Sequence, residues 1–255
     1  MRTLRFNNQN RTYLLRVPAA YDPAKLTPMV LGFHGFTGNF TEFTNGTGLG
    51  NEADKRGYLY VAPQGSGILA SWNAGACCGE ASTFKVDDTG FIKALLDELE
   101  KTFCVDTKRV YVTGFSNGGF FSNRLGCELA DRVAAIAPVS GGLVFSPCNP
   151  ARPMPYLTFH GTADGTVGYN GNQALGFPSA QKNIEDWAKR NACTGGSTVT
   201  FQMGATRCDT YGTCGGGVTT TLCTLTGEDH AWPDGKFGIV ATPTIMDFFA
   251  RFKLP

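Results

Sequence analysis

The stretch RVYVTGFSNGGF, residues 109–120, leaves the chain few options. Arg109–Phe115 is a run of strand type, and the segment from Asn117 to Ala130 can continue as a helix. A single serine stands at the junction, flanked at two residues' distance by Gly114 and Gly118. A strand that passes directly into a helix needs small neighbours there, because bulky ones collide at so sharp a turn. The residue at the apex is held in a strained conformation with its side chain projecting. Ser116 is therefore a candidate nucleophile, and the remainder must supply a base, an acid and a place for negative charge.

The surrounding pattern fits that junction. Met29–His34, Tyr58–Ala62, Val133–Val139 and Tyr156–His160 are short apolar runs, of the kind found in strands buried on both faces. They alternate with helical segments at Val86–Phe103, where Phe91, Leu95 and Leu99 recur at helical spacing, and at Ser179–Asn191 and Thr242–Phe252. This alternation predicts an α/β fold, with a mostly parallel central sheet and helices on both faces. Thr3–Asn7 and Arg11–Val17 flank an Asn-rich turn and predict an N-terminal antiparallel hairpin. Thr198–Met203 and Val218–Thr226 read as further strands. The connection from 63 to 85 contains SWNAGACCG, and so long a loop in a compact domain is usually functional or pinned by cross-links.

Only three histidines can serve as the base: His34, His160 and His230. Each follows an apolar run, where reactive groups gather in parallel sheets. Serine hydrolases on such sheets run nucleophile, acid, histidine along the chain. His230 alone lies downstream of Ser116 with room for an acid between them. Asp164, in FHGTADGTVGY just past a strand, is the candidate acid, holding the imidazole in its working tautomer. Asp209 is a weaker rival in a Cys- and Thr-rich segment read as a loop, and Asp229 adjoins the histidine too closely to reach its far nitrogen. An oxyanion needs two backbone N–H groups. Asn117 is the candidate for one, and Phe36 or Thr37 in HGFTG for the other, with His34 shaping that loop. Each signal alone has a structural alternative: a plain Gly-rich turn, a turn aspartate, a histidine packed on Trp232. Together, in this order, they point to ester-type acyl transfer.

Other classes find no support. With a net charge of +1 and 17% charged residues, the chain offers no basic surface for nucleic acid, and no apolar window is long enough to span a membrane. Gly48-Leu-Gly50-Asn-Glu-Ala53 has the letters of a dinucleotide turn, but the polar TEFTNGT before it is not a strand, so no cofactor is expected. Nor is a metal site, since the nine cysteines show no CxxC spacing. They read as disulfides of an oxidising compartment with one left over, and adjacent Cys77 and Cys78 are expected to have different fates. Sequons at Asn10, Asn39 and Asn45 are compatible with secretion. Residues 1–30 show no secretory leader: either the protein is made without one or the leader is absent from this sequence, and the cysteines favour the second. The expectation is a secreted protein, and a monomer.

HGFTGN, SWNAGACCG, VDDTGF, RVYVTGFSNGG, HGTADGTVGY and GEDHAWP occur in the order seen in carbohydrate esterase family 1. The chain resembles its branch of feruloyl esterases and polyhydroxybutyrate-depolymerase-like esterases from about residue 3 to 252. The resemblance implies an α/β-hydrolase fold over residues 1–255 as one catalytic domain, a secreted serine esterase, and a Ser116–Asp164–His230 triad. It also implies structural disulfides in CCG and among the later cysteines, with Cys127 pairing Cys148 and Cys193 pairing one of Cys208, Cys214 and Cys223. One departure is that relatives are more glycine-rich before the histidine, where this chain has Glu228 and Asp229. The implied substrate is a hydroxycinnamoyl ester of cell-wall polysaccharide or a small aryl ester. Trp72, Tyr169, Trp232 and Phe36 are the candidates for an aromatic slot, although Trp72 fits packing beneath its loop equally well. Acetylxylan or a polyester would suit the same triad. A non-catalytic ligand-binding homologue is the reading from another class, disfavoured because all three triad positions are filled.

Overall fold

The computed structural model describes residues 1–255. Its first element is the expected hairpin, β1 (Arg2–Phe6) and β2 (Gln9–Arg16), paired antiparallel. Asn7 and Asn8 form the turn with φ of 46° and 61°. Two successive positive φ values match the twist of the flanking strands, and asparagine tolerates them better than most residues.

Six strands then make a parallel centre: β3 (Thr27–Phe33), β4 (Leu59–Pro63), β5 (Val105–Phe115), β6 (Ala135–Val139), β7 (Tyr156–Gly161) and β10 (Thr220–Leu225). β8 (Thr198–Met203) and β9 (Thr206–Tyr211) lie between β7 and β10 in the chain and add antiparallel beyond β10. The ten-stranded sheet runs β1-β2-β4-β3-β5-β6-β7-β10-β9-β8. Every residue of β3 is buried, and its side chains alternate between two cores: Met29, Leu31 and Phe33 in one, Val30 in the other. A continuous apolar run is what a strand covered on both faces requires.

Helices cover the two faces. α4 (Asp88–Thr102), α5 (Asn117–Glu128) and α6 (Ala180–Arg190) supply Phe91, Phe121 and Trp187 to the first core. α1 (Phe40–Thr47), α2 (Leu49–Lys55) and α7 (Ala241–Phe249) supply Phe43, Leu49 and Phe249 to the second. Neither α1 nor α2 was expected from so polar a stretch. α1 forms because the Asn39 side chain accepts from the N–H groups of Thr41 and Glu42 and one face buries Phe43 and Thr44. β9 was also missed: Thr206, Cys208 and Thr210 point inward, so its alternation is of small polar residues rather than apolar ones. Asp209 consequently sits in a strand, not a loop, and its carboxylate is taken by Arg207 at 2.7 Å, which removes it as a rival acid.

The long connection after β4 is held at both ends. Ser66 bridges Ser71, and the short helix α3 (Gly79–Thr83) follows. Asp88, fully buried at the start of α4, accepts from Arg11 at 2.7 Å and from Asn73 N–H at 2.8 Å, joining β2, the loop and α4. Disulfides join Cys127–Cys148, Cys193–Cys214 and Cys208–Cys223, leaving Cys104 free. The expectation of separate fates for Cys77 and Cys78 is overturned: they pair with each other, their sulfurs turned together at the entry to α3.

His34, just past β3, ties that strand's end to the loop after β4. Its Nδ1–H donates to Gly35 C=O at 2.7 Å, and its Nε2 accepts from Gly65 N–H at 2.9 Å. Burial pushes its pKa down from 6.5 to about 4, so it stays neutral under working conditions.

Two outcomes follow. Replacing both Cys127 and Cys148 by serine, a bridge spanning 21 residues, should cost about 3 kcal/mol, read as a lower urea midpoint. As pH falls from 6.5 to about 4, the unfolded chain takes up a proton at His34 that the folded chain refuses. Stability should therefore fall with pH across that window, by about 3 kcal/mol from this residue, and level off below it. In His34→Gln the slope of unfolding free energy against pH over the window should flatten; an unchanged slope would show that His34 titrates normally.

Candidate active site

The junction between β5 and α5 has the geometry its sequence suggests. Ser116 has φ 56° and ψ −120°, a conformation that costs a non-glycine residue about 1–3 kcal/mol. The backbone is fixed around it: Ser116 N–H donates to Val139 C=O at 3.0 Å, and Phe120 N–H donates back to Ser116 C=O at 2.9 Å. No side chain would fit at the flanking glycines. A Cβ on Gly114 would stand 2.4 Å from Gly118 O, and one on Gly118 would stand 2.2 Å from Phe33 O. Between these two glycines the chain carries the side chains of Phe115, Ser116 and Asn117, with Ser116 at the apex of the turn.

Asp164 follows β7 and His230 follows β10, neighbouring parallel strands whose ends lie side by side. The two groups meet: His230 Nδ1–H donates to Asp164 Oδ2 at 2.8 Å. That bond leaves the lone pair on Nε2. The Phe115 ring, on the residue before Ser116, packs on the His230 ring with centroids 4.6 Å apart. Asp164 Oδ1 accepts from Thr166 N–H at 2.9 Å and Val167 N–H at 2.7 Å. Burial alone would raise the Asp164 pKa. The hydrogen bonds from His160, His230 and Val167 outweigh it and hold the carboxyl below the usual carboxylate range.

Sequence order set His160 aside, yet it touches the same carboxylate. Its Nε2 lies 3.4 Å from Asp164 Oδ2 and donates to Val167 C=O at 2.7 Å. The signal was its position four residues before Asp164, at the end of the same strand. Asp229 also has a place: its Oδ1 accepts from Gly165 N–H at 3.1 Å and His230 N–H at 2.7 Å. It staples the loop of the acid to the loop of the histidine. Glu228 contributes through its backbone, accepting from Ala163 N–H at 2.9 Å.

Asn117 opens α5, and its carboxamide makes a reciprocal pair with Trp72, accepting from Trp72 N–H at 2.7 Å and donating to Trp72 C=O at 3.0 Å. The long loop is thereby clamped beside the serine. Of the two residues considered in HGFTG, Thr37 N–H is already spent on Ala70 C=O at 2.9 Å, whereas Phe36 N–H has no protein acceptor. Gly35 lies against the serine, where a Cβ would come within 3.3 Å of Ser116 Cβ.

The aromatic candidates separate. Trp72 has no exposed surface, stacks on Phe121 at 5.2 Å, and donates from Nε1 to His34 C=O at 3.1 Å. It supports the loop from beneath and does not line a pocket, which corrects its assignment to substrate. Tyr169 is half-buried behind His160, with its hydroxyl against Thr224 Oγ1 at 2.8 Å. Trp232 and Phe36 both line a cleft of about 470 Å³ that also contains Phe115.

The model of the Esterase family matches residues 5–194. Feruloyl esterase B of Piromyces equi is 35% identical over 96% of this chain, an alignment that covers 46% of that relative. A bifunctional acetylxylan esterase/xylanase of Neocallimastix patriciarum is 32% identical over 65% of the chain and 23% of its own length. Feruloyl esterase C of Emericella nidulans is 34% identical over 65% of the chain and 59% of its own. The chain thus spans about half the length, or less, of the first two. Among solved structures, the acetyl xylan esterase from Aspergillus awamori superposes with a TM-score of 0.74 at 14% identity, covering 98% of each chain. That likeness establishes the α/β-hydrolase fold, with the antiparallel N-terminal pair added at its edge. With its model matched across most of the sequence, the Esterase family is the one to which this chain belongs.

Proposed function

We propose that the protein is a secreted serine esterase that releases ferulic and related hydroxycinnamic acids from plant cell-wall polysaccharide. The observation that carries the mechanism is the Asp164–His230 hydrogen bond beside a strained Ser116. Ser116 Oγ attacks the ester carbonyl while His230 Nε2 takes its proton. Asp164, ionised and hydrogen-bonded to Nδ1–H, orients the ring and stabilises the imidazolium. The N–H groups of Asn117 and Phe36 receive the negative charge of the tetrahedral oxygen. Its collapse expels the alcohol, which leaves with the proton from Nε2, and Ser116 keeps the acyl group. Water, deprotonated by the same nitrogen, then attacks the acyl-enzyme and frees the acid.

The feruloyl assignment is supported by the relatives of that name, the first of which aligns over nearly the whole chain. The acetylxylan reading is supported by the Neocallimastix patriciarum relative named for that activity. Secretion is supported by the disulfides, which persist in oxidising compartments. A monomer is the simplest state consistent with a site built within one chain.

The deciding assay compares methyl ferulate, acetylated xylan and polyhydroxybutyrate as substrates for wild type and Ser116→Ala. Ferulate release should dominate and fall by at least about 10³-fold in the variant, with loss of fluorophosphonate labelling. A preference for acetate or polyester would keep the chemistry and replace the substrate. Asp164→Asn, with its wrong imidazole tautomer, should lower kcat by about 10³–10⁴-fold with little change in KM.

A further inference from the structure

A second cavity, of about 490 Å³, lies between α7 and strands β8–β10 and takes no part in acyl transfer. Its volume is in the range of small-ligand sites. α7 buries Ile245, Met246 and Phe249 in the second core, and turns the stripe Thr244, Asp247, Phe248 and Arg251 to the cavity. The cavity is remote from the triad. Ser116 follows the carboxyl end of β5, whereas the chain after α7 is tied well back along that strand. There Tyr111 Oη–H donates to Phe252 C=O at 2.6 Å, and Leu254 N–H donates to Lys108 C=O at 2.9 Å. Gly212 and Thr219, where β9 ends and β10 begins, line the same cavity.

Its floor is polar where a covered sheet face is ordinarily apolar. The hydroxyls of Thr200, Thr210 and Thr221 form a row across three strands, linked at 2.8 and 2.9 Å, and Thr210 and Thr221 are each only 8% exposed. Three hydroxyl protons serve two links. The remaining proton has one acceptor within the chain, Cys208 C=O, at 3.5 Å. Arg251 stands at the mouth. Its guanidinium lies 5.8 Å from the Phe248 ring and 5.2 Å from the Phe252 ring, and no carboxylate pairs with it. Asp247, the other charge on the wall, is neutralised by Arg56. One positive charge is therefore unmatched. The rest of the wall is apolar: Leu157, Phe201, Ile239, Phe248 and the Cys208–Cys223 bridge.

We propose that this cavity is a binding site for a small apolar monocarboxylic acid, separate from the catalytic centre. The guanidinium fork of Arg251 matches the two oxygens of a carboxylate. A single unmatched cation suits a monoanion better than a phosphate dianion. The spare threonine proton gives a ligand oxygen a further donor, and the apolar wall takes the body of the acid out of water. An aryl and an alkyl body share this chemistry, and the experiment tells them apart. The inference does not depend on the esterase reading.

The probes are cinnamate and octanoate, each titrated into nitrogen-15-labelled protein and followed by the amide signals of individual residues. Gly212, Thr221 and Arg251 should shift and saturate with at least one of the two acids. Tighter binding of cinnamate would assign an aryl body, and tighter binding of octanoate an alkyl one. Arg251→Gln should raise the Kd read at Gly212 and Thr221 at least tenfold. Thr244→Trp, which fills the cavity from α7, should do the same, each variant being checked for native circular dichroism. Cinnamamide, which lacks the charge, should bind at least tenfold more weakly than cinnamate. Shifts confined to Ser116 and His230 would place the acid at the triad and overturn the proposal. Unchanged affinity in either variant would also overturn it, as would inorganic phosphate binding as tightly as the acids.

Discussion

The site depends on backbones packing against backbones. β3, β5 and β6 reach the start of α5 without intervening side chains: Gly114 meets Gly118, Gly118 meets Phe33, and Gly141 would place a Cβ 2.6 Å from Phe120 N. At such distances the first turn of α5 has no alternative position, and the strain at Ser116 is sustained by contacts it cannot relax. The same closeness brings Asn117 within reach of Trp72, so the carboxamide clamp on the long loop is a consequence of the glycines. Half-buried Ser116 keeps some access to solvent because its surroundings are small, and is rigid for the same reason.

Asp164 concentrates the electrostatics. Four groups converge on its two oxygens, from the imidazoles of His160 and His230 and the N–H groups of Thr166 and Val167. A buried carboxylate with this many donors stays ionised, and an ionised partner is what keeps the proton on His230 Nδ1. Asp229 adds a mechanical contribution, because its single oxygen holds the two loops at the separation this hydrogen bond needs. Where glycines might have given the histidine loop freedom, this chain fastens it.

Much of this was legible because linear order and strand ends carry the information. Ser116, Asp164 and His230 each follow an apolar run, and parallel strands bring such ends to one edge of the sheet. What was not legible depended on partners distant in the chain. The fate of Trp72 is decided by Phe121 and by His34 C=O, neither of which its own neighbours reveal. α1 was hidden because its stability comes from an asparagine cap and one buried phenylalanine rather than from periodicity. β9 was hidden because threonine and cysteine give weak alternation. That Thr37 N–H is taken was hidden too, because its acceptor is the carbonyl of Ala70 in the middle of the long connection.

Asn39 has a double position. It caps α1 through Oδ1, it lines the aromatic cleft, and it begins an Asn-Phe-Thr sequon. Glycosylation uses the amide nitrogen and leaves the capping oxygen in place, so the helix tolerates the modification. A glycan attached there would stand at the rim of the cleft. The same chain with and without that glycan would differ in how wide the entrance to the cleft is.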